Sequence, residues 1–237
     1  MRVTVFGAAG NAGSRIVNEA LVRGHEVTAV VRDSARFAQL PARVTPRVGD
    51  ASRAAEVRAL AAGQDVVIGA TRPPQGQEDE LAAAARGLLA GLTGTGVRLL
   101  VVGGAGSLVV PGSGGRLLVD DPAYVPPAWR HVALGSQRQL EVFRAATDAT
   151  DATGTDSSGT DASANDASGT DVDWAYVSPP AILEPGERTG RYRTGHDGVL
   201  TGPDGLSRIS MEDLAIALLD EVERPRHHRT RFTLVAD

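Results

Sequence analysis

The sequence predicts an α/β protein: a doubly wound parallel sheet in a single domain, with a small carboxyl-terminal lobe on the substrate side. Three observations carry this expectation. β-rich runs alternate with stretches of helical apolar spacing along most of the chain. One of those runs, Arg98-Leu99-Leu100-Val101-Val102, is nearly all apolar, as strands covered on both faces are. Residues 1 to 33 read as strand, glycine loop, helix and strand, the opening half of a dinucleotide-binding unit.

The elements follow in order. Val3 to Phe6 is a strand, Gly7-Ala8-Ala9-Gly10-Asn11-Ala12-Gly13 a glycine loop, and Ser14 to Arg23 a helix that Gly24 ends. Val27 to Val31 is the second strand, and it closes on Arg32-Asp33. A short polar helix from Ser34 to Leu40 stops at Pro41, and Arg43 to Val48 forms a third strand ending at Gly49-Asp50-Ala51. Ala54 to Ala62 is helical, and Asp65 to Thr71 is a fourth strand. Gln77 to Leu92 is an alanine- and leucine-rich helix, followed by the Arg98 to Val102 strand and Gly103-Gly104-Ala105-Gly106-Ser107. Val109 to Tyr124 is rich in glycine and proline and is expected to loop over the site; a helix then runs from Pro126 or Pro127 to about Ala146.

The chain then changes character. Asp recurs every five residues from Asp151 to Asp171 among Thr, Ser, Ala and Gly, so a disordered insert is expected at about 147–171. Its spacing does not match known calcium loops. Asp173 to Val177 is a sixth strand, followed by Ser178-Pro179-Pro180. Gly198 to Ile209 suggests a hairpin around Pro203-Asp204-Gly205. Ser210 and Asp213 read as a capping-box pair opening the last helix, and Arg231 to Val235 is the final strand. His227 and His228 are expected in an exposed turn.

Composition narrows the function classes. A chain of 237 residues is enough for one sizeable α/β domain. A net charge of −5 argues against a nucleic-acid binder, and no long uncharged apolar run suggests a membrane span; a cytoplasmic protein is expected, a monomer or homodimer. The absence of cysteine removes thiolate nucleophiles, disulfides and cysteine-ligated metals. No lysine occurs either, so all 24 Lys+Arg residues are arginine; Schiff-base chemistry and any Tyr-x-x-x-Lys pair are excluded. No metal site is expected.

The loop's chemistry accounts for its spacing. A helix opening at Gly7, Ala9, Gly10, Asn11, Ala12 and Gly13 points unpaired N–H groups and its positive end at the turn, where a pyrophosphate can sit. At the second strand's end, Arg32 stands where many NAD-binding units carry an acid. A guanidinium can pair a 2′-phosphate, so NADP(H) is preferred over NAD(H); the alternative leaves Arg32 solvated and makes Asp33 the ribose ligand. Asp50 can accept the adenine amino proton with Ala51 on the ring, or can cap the helix near Arg53. Ala70 and Thr71 should approach the ribose and phosphates, and the small residues of Gly103 to Ser107 are expected to leave room for a nicotinamide ring.

Four stretches resemble the atypical short-chain dehydrogenase/reductases, specifically the NADH-flavin reductases related to NmrA-like and biliverdin reductase B-type proteins: Gly7 to Gly13, RLLVVGGAGS from Arg98, DWAYVSPPAILEPGERTGRYR from Asp173, and SRISMEDLAIALLD from Ser207. The resemblance implies a Rossmann-type fold with strand order 3-2-1-4-5-6-7. It implies a nicotinamide pocket walled by Gly104, Ala105, Ser107 and the Ser178-Pro179-Pro180-Ala181 turn, with Ser107 at the position of a serine that assists carbonyl chemistry. The tyrosine and lysine of ordinary members would fall near Ala133 and Gln137, neither of which transfers a proton. His131 is nearby and can either supply a proton or be a surface residue.

The expected activity is therefore hydride transfer from NADPH to a flavin such as FMN, or a quinone-like planar acceptor, since delocalised charge and solvent protons replace a dedicated acid. The alternatives are a non-catalytic NADP(H) sensor of the NmrA type that reports to a protein partner, and an epimerase-like isomerase.

Overall fold

The computed structural model describes residues 1–74, 76–153 and 169–237. Its centre is an eight-stranded sheet in the order β3-β2-β1-β4-β5-β6-β10-β8. The strands are β1 (Arg2–Phe6), β2 (Glu26–Val31), β3 (Thr45–Val48), β4 (Val66–Gly69), β5 (Arg98–Val102), β6 (Trp174–Ser178), β8 (Tyr192–Gly195) and β10 (Thr230–Ala236). Every pairing is parallel except β8 on β10. The expected order is thus extended by one antiparallel edge strand, which the charged 184–193 segment concealed.

Helices cover both faces. α1 (Asn11–Val22) and α5 (Met211–Glu223) pack on one face over Val3, Val5, Ile68, Leu100 and Val177. α2 (Ala54–Ala61), α3 (Glu80–Leu92) and α4 (Arg130–Thr153) cover the other over Phe6, Val67, Leu99, Val101 and Tyr176. Central strands are buried throughout, as their unbroken apolar runs require. The edge strand β3 is exposed at all four residues.

Charged residues tie the layers together at the strands' amino-terminal end. Arg98 donates to Asp173, to the Glu221 carboxylate at 2.7 Å and to the carbonyls of Glu221 and His227. Burial pushes the Glu221 carboxyl up, but hydrogen bonds from His227, Arg98 and the amides of Arg226 and His227 bring it down to about 2. His227 stacks on Phe232 at 4.2 Å and pairs with Glu221, and His228 pairs with Asp173; the half-buried His227 therefore differs from the expected exposed turn.

Other expectations are adjusted. The 198–209 segment makes a turn at Gly202 to Leu206 but no hairpin; instead β9 (Arg208–Ser210) pairs in parallel with β7 (Ile182–Glu184). Ser210 caps α5 by accepting from the Asp213 N–H at 3.0 Å, while the Asp213 carboxylate accepts from Thr189 and Gly190, so only half of the capping box forms. α4 runs past Ala146 to Thr153, and Thr150 Oγ1 near its end donates to the Ala146 and Thr170 carbonyls at 3.0 and 3.1 Å. Thr170 is buried, and Asp171 accepts from the Gly94 N–H. The borders of the expected disordered insert are thus ordered, and residues 154–168 lie outside the described residues.

Candidate dinucleotide site

The carboxyl ends of β1, β2 and β4 meet at the glycine loop. Gly7 has φ +79° and lies so close to β4 that an added Cβ would sit 2.4 Å from the Ala70 carbonyl oxygen. A Cβ on Gly13 would sit 2.1 Å from the Gly7 oxygen, so these two glycines let α1 close onto the strand ends. Gly10 is more open, 3.1 Å from the same oxygen. It stands at the N-cap without a side-chain cap, and α1 has no acid in its first turn. Among the described residues the N–H groups of Asn11, Ala12 and Gly13 find no acceptor. An uncapped helix start of this kind suits an anionic pyrophosphate.

Arg32, half exposed, donates to Glu80 at the start of α3 at 2.8 Å. Asp33 accepts from the Ala35 N–H at 2.9 Å and caps the 3-10 turn at Ser34–Gln39. That turn brings Arg36 back over the loop, where its guanidinium donates to the Ala9 carbonyl at 2.7 Å. Sequence reading missed Arg36; its spacing of four from Arg32 was the available signal. Asp50 accepts from the Ser52 N–H and hydroxyl at 2.9 and 2.8 Å, holding the turn ahead of α2 rather than capping the helix itself. Burial raises its pKa, yet the Ser52 bonds and the charges of Arg32 and Arg53 leave it lowered. Ala51 is buried in the core with Phe6 and Val30, so its methyl does not cover a ring as expected.

The loop after β5 is tightly packed. A Cβ on Gly103 would sit 1.9 Å from the Tyr176 ring, one on Gly104 2.4 Å from Ser136 Oγ, and one on Gly106 2.6 Å from the Ala133 carbonyl oxygen. The missing side chains of Gly103, Gly104 and Gly106 make room for Tyr176 and α4, a packing reason that does not depend on the expected nicotinamide ring. Tyr176 is fully buried; its hydroxyl donates to the Ser136 carbonyl at 3.0 Å, and burial drives its pKa up. Ser107 is 8% exposed, and its hydroxyl accepts from the buried Arg231 at 3.2 Å. Arg231 in turn holds Asp197, whose carboxyl that contact lowers.

Beside this loop lies a small apolar cluster. Ala105, Ala133, Ala181 and Tyr124 all pack, half-buried, on a cluster of Leu108, Leu118, Val125 and Val199. Pro179 and Pro180 are buried at the end of β6. Gln137 donates to Glu141 on the surface of α4. His131 Nε2 lies 3.3 Å from Glu78 without an aligned hydrogen bond. Tyr124, whose hydroxyl has no partner among the described residues, was not anticipated.

A glycine loop opening an uncapped helix at the switch point of a doubly wound parallel sheet defines a dinucleotide-binding protein. The chain belongs to the NAD(P)H-binding family, whose model matches residues 7–225. It is 37% identical to a "putative exported protein" from Burkholderia pseudomallei, with a TM-score of 0.78 over 99% of both chains. It is 29% identical to a "putative NADH-flavin reductase" from Streptococcus pneumoniae, with a TM-score of 0.80 over the whole of both. A "putative epimerase" from Bacteroides thetaiotaomicron is 34% identical, with a TM-score of 0.78 over 99% of this chain and 96% of that one. No helix among the described residues is long and apolar enough to cross a membrane.

Proposed function

We propose that the protein is a cytoplasmic NADPH-dependent reductase of a free flavin or another planar acceptor such as a quinone. The observation that carries this reading is an uncapped helix start at the glycine loop, with the small, partly buried Ala105, Ala133 and Ala181 at the end where the acceptor would bind. The residues present suit the dinucleotide in this reading: the free N–H groups of Asn11 to Gly13 would receive its pyrophosphate, and Arg32 and Arg36, which bond to Glu80 and to the Ala9 carbonyl in the free protein, would hold a 2′-phosphate. When bound, NADPH supplies a hydride. The chain's part is to hold donor and acceptor rings face to face and to keep water out between them. No proton-transferring side chain occupies Ala133 or Gln137, and a flavin does not require one, because its reduced ring spreads the charge and solvent protonates it.

The test is a screen of NADPH and NADH oxidation against FMN, riboflavin, quinones and biliverdin. Turnover with flavin or quinone, faster with NADPH, supports the reading. Tight NADPH binding with no turnover on any of them would overturn it in favour of a sensor.

A further inference from the structure

Resting on the reductase reading, we propose that Trp129 and Arg72 form the acceptor's seat and select a planar ring that carries a phosphate tail, FMN rather than riboflavin. The two residues come from different connections, Arg72 just after β4 and Trp129 just before α4. Arg72 follows Ala70 and Thr71, which abut the glycine loop, and so leaves directly from the donor side. Trp129 ends the 3-10 turn Pro127–Trp129 that leads into α4, one helical turn before Ala133, whose carbonyl backs Gly106. The Arg72 guanidinium lies 5.7 Å from the Trp129 ring centroid, joining the two connections.

Trp129 is 55% exposed, while the chain's other tryptophan, Trp174, is 1% exposed in the core. An indole held in solvent at the mouth of the site offers a stacking face that a flat aromatic acceptor can cover. Arg72 differs from the arginines around it. Arg116 pairs with Asp121, Arg130 with Asp120 and Arg138 with Asp79, whereas Arg72 has no carboxylate partner among the described residues. Its positive charge is thus left without a carboxylate partner among the described residues. It is held only by an exposed cation–π contact, so it can move onto an anion without breaking an ion pair. A phosphate on the acceptor uses that charge through charge-assisted hydrogen bonds; riboflavin and quinones offer only the ring.

The test uses the full chain without dinucleotide first. FMN excited in the visible loses its emission when it stacks on an indole, so adding protein should quench it, and Trp129→Leu should abolish the quenching. In turnover, Arg72→Ala should shift the ratio of KM values for FMN and riboflavin about tenfold against FMN, the size expected for one charge-assisted contact, with Arg72→Lys restoring most of it. Equal quenching by wild type and Trp129→Leu, or a KM ratio unchanged by Arg72→Ala, would overturn the proposal while leaving the reductase reading intact. Absence of any flavin turnover would overturn the reductase reading, and the quenching arm would still decide the seat.

Discussion

The two glycine loops of this molecule, after β1 and after β5, look alike in sequence and do different things. Both contain positions where no Cβ fits: Gly7 and Gly13 in the first, Gly103, Gly104 and Gly106 in the second. In the first, tight packing brings an uncapped helix end to the sheet edge and leaves its N–H groups and the more open Gly10 facing outward. In the second, the same economy of atoms is filled from within by the Tyr176 ring, Ser136 and Ala133. A glycine run therefore reports close approach, and only the neighbour decides whether a ligand or the protein itself makes that approach.

Substitutions can break this comparison. Gly103→Ala forces a methyl into the Tyr176 ring, and a loss of about 3 kcal/mol or more is expected in a denaturant melt, with cofactor affinity per folded molecule little changed. Acid should act on the frame behind both loops. Glu221 has its pKa lowered to about 2, so the stability it contributes is full above the unfolded value near 4.5 and is lost as pH falls toward 2. Up to roughly 3 kcal/mol is at stake, and Glu221→Gln should flatten that part of the stability–pH curve. Its melt at neutral pH should also drop, since Arg98 would keep a buried charge with one partner fewer.

Gly10→Ala should show the reverse of Gly103→Ala: less than about 1 kcal/mol in a melt, because its Cβ would be only slightly crowded, but a tenfold or greater loss of NADPH binding by calorimetry as the methyl enters the phosphate seat. The smallest effect concerns Glu80. Its carboxylate occupies Arg32 in the free protein and would face a 2′-phosphate with like charge. Glu80→Gln should improve NADPH over NADH by about fivefold, on the order of 1 kcal/mol, and the gain should shrink at high salt. Equal gains for both dinucleotides would show that Arg32 does not read the 2′-phosphate.

What was legible in the sequence follows the same division. The opening strand, glycine loop, helix and second strand were readable because they lie within one short segment, and the sheet order followed from the family resemblance. The acceptor end was not, because its determinants are distant in the chain. Gly103 is explained by Tyr176, and Ser107 is claimed by Arg231, 124 residues away. Ala51 faced the core rather than a ligand because the turn held by Asp50 and Ser52 directs it inward. Arg36 was hidden for a related reason: a 3-10 turn, not a straight continuation of the strand, carries it back to Ala9.

The central claim is that the donor end is built for NADPH while the acceptor end supplies no proton. Its most direct test is the rate of flavin reduction at saturating NADPH and flavin, followed in single turnover as a function of pH. The account predicts a rate that stays flat from about pH 6 to 8, since neither Ala133 nor Gln137 titrates and solvent protonates the product. A rate that falls about tenfold per pH unit, and that loses this dependence in His131→Ala or Tyr124→Phe, would contradict it by revealing a dedicated acid.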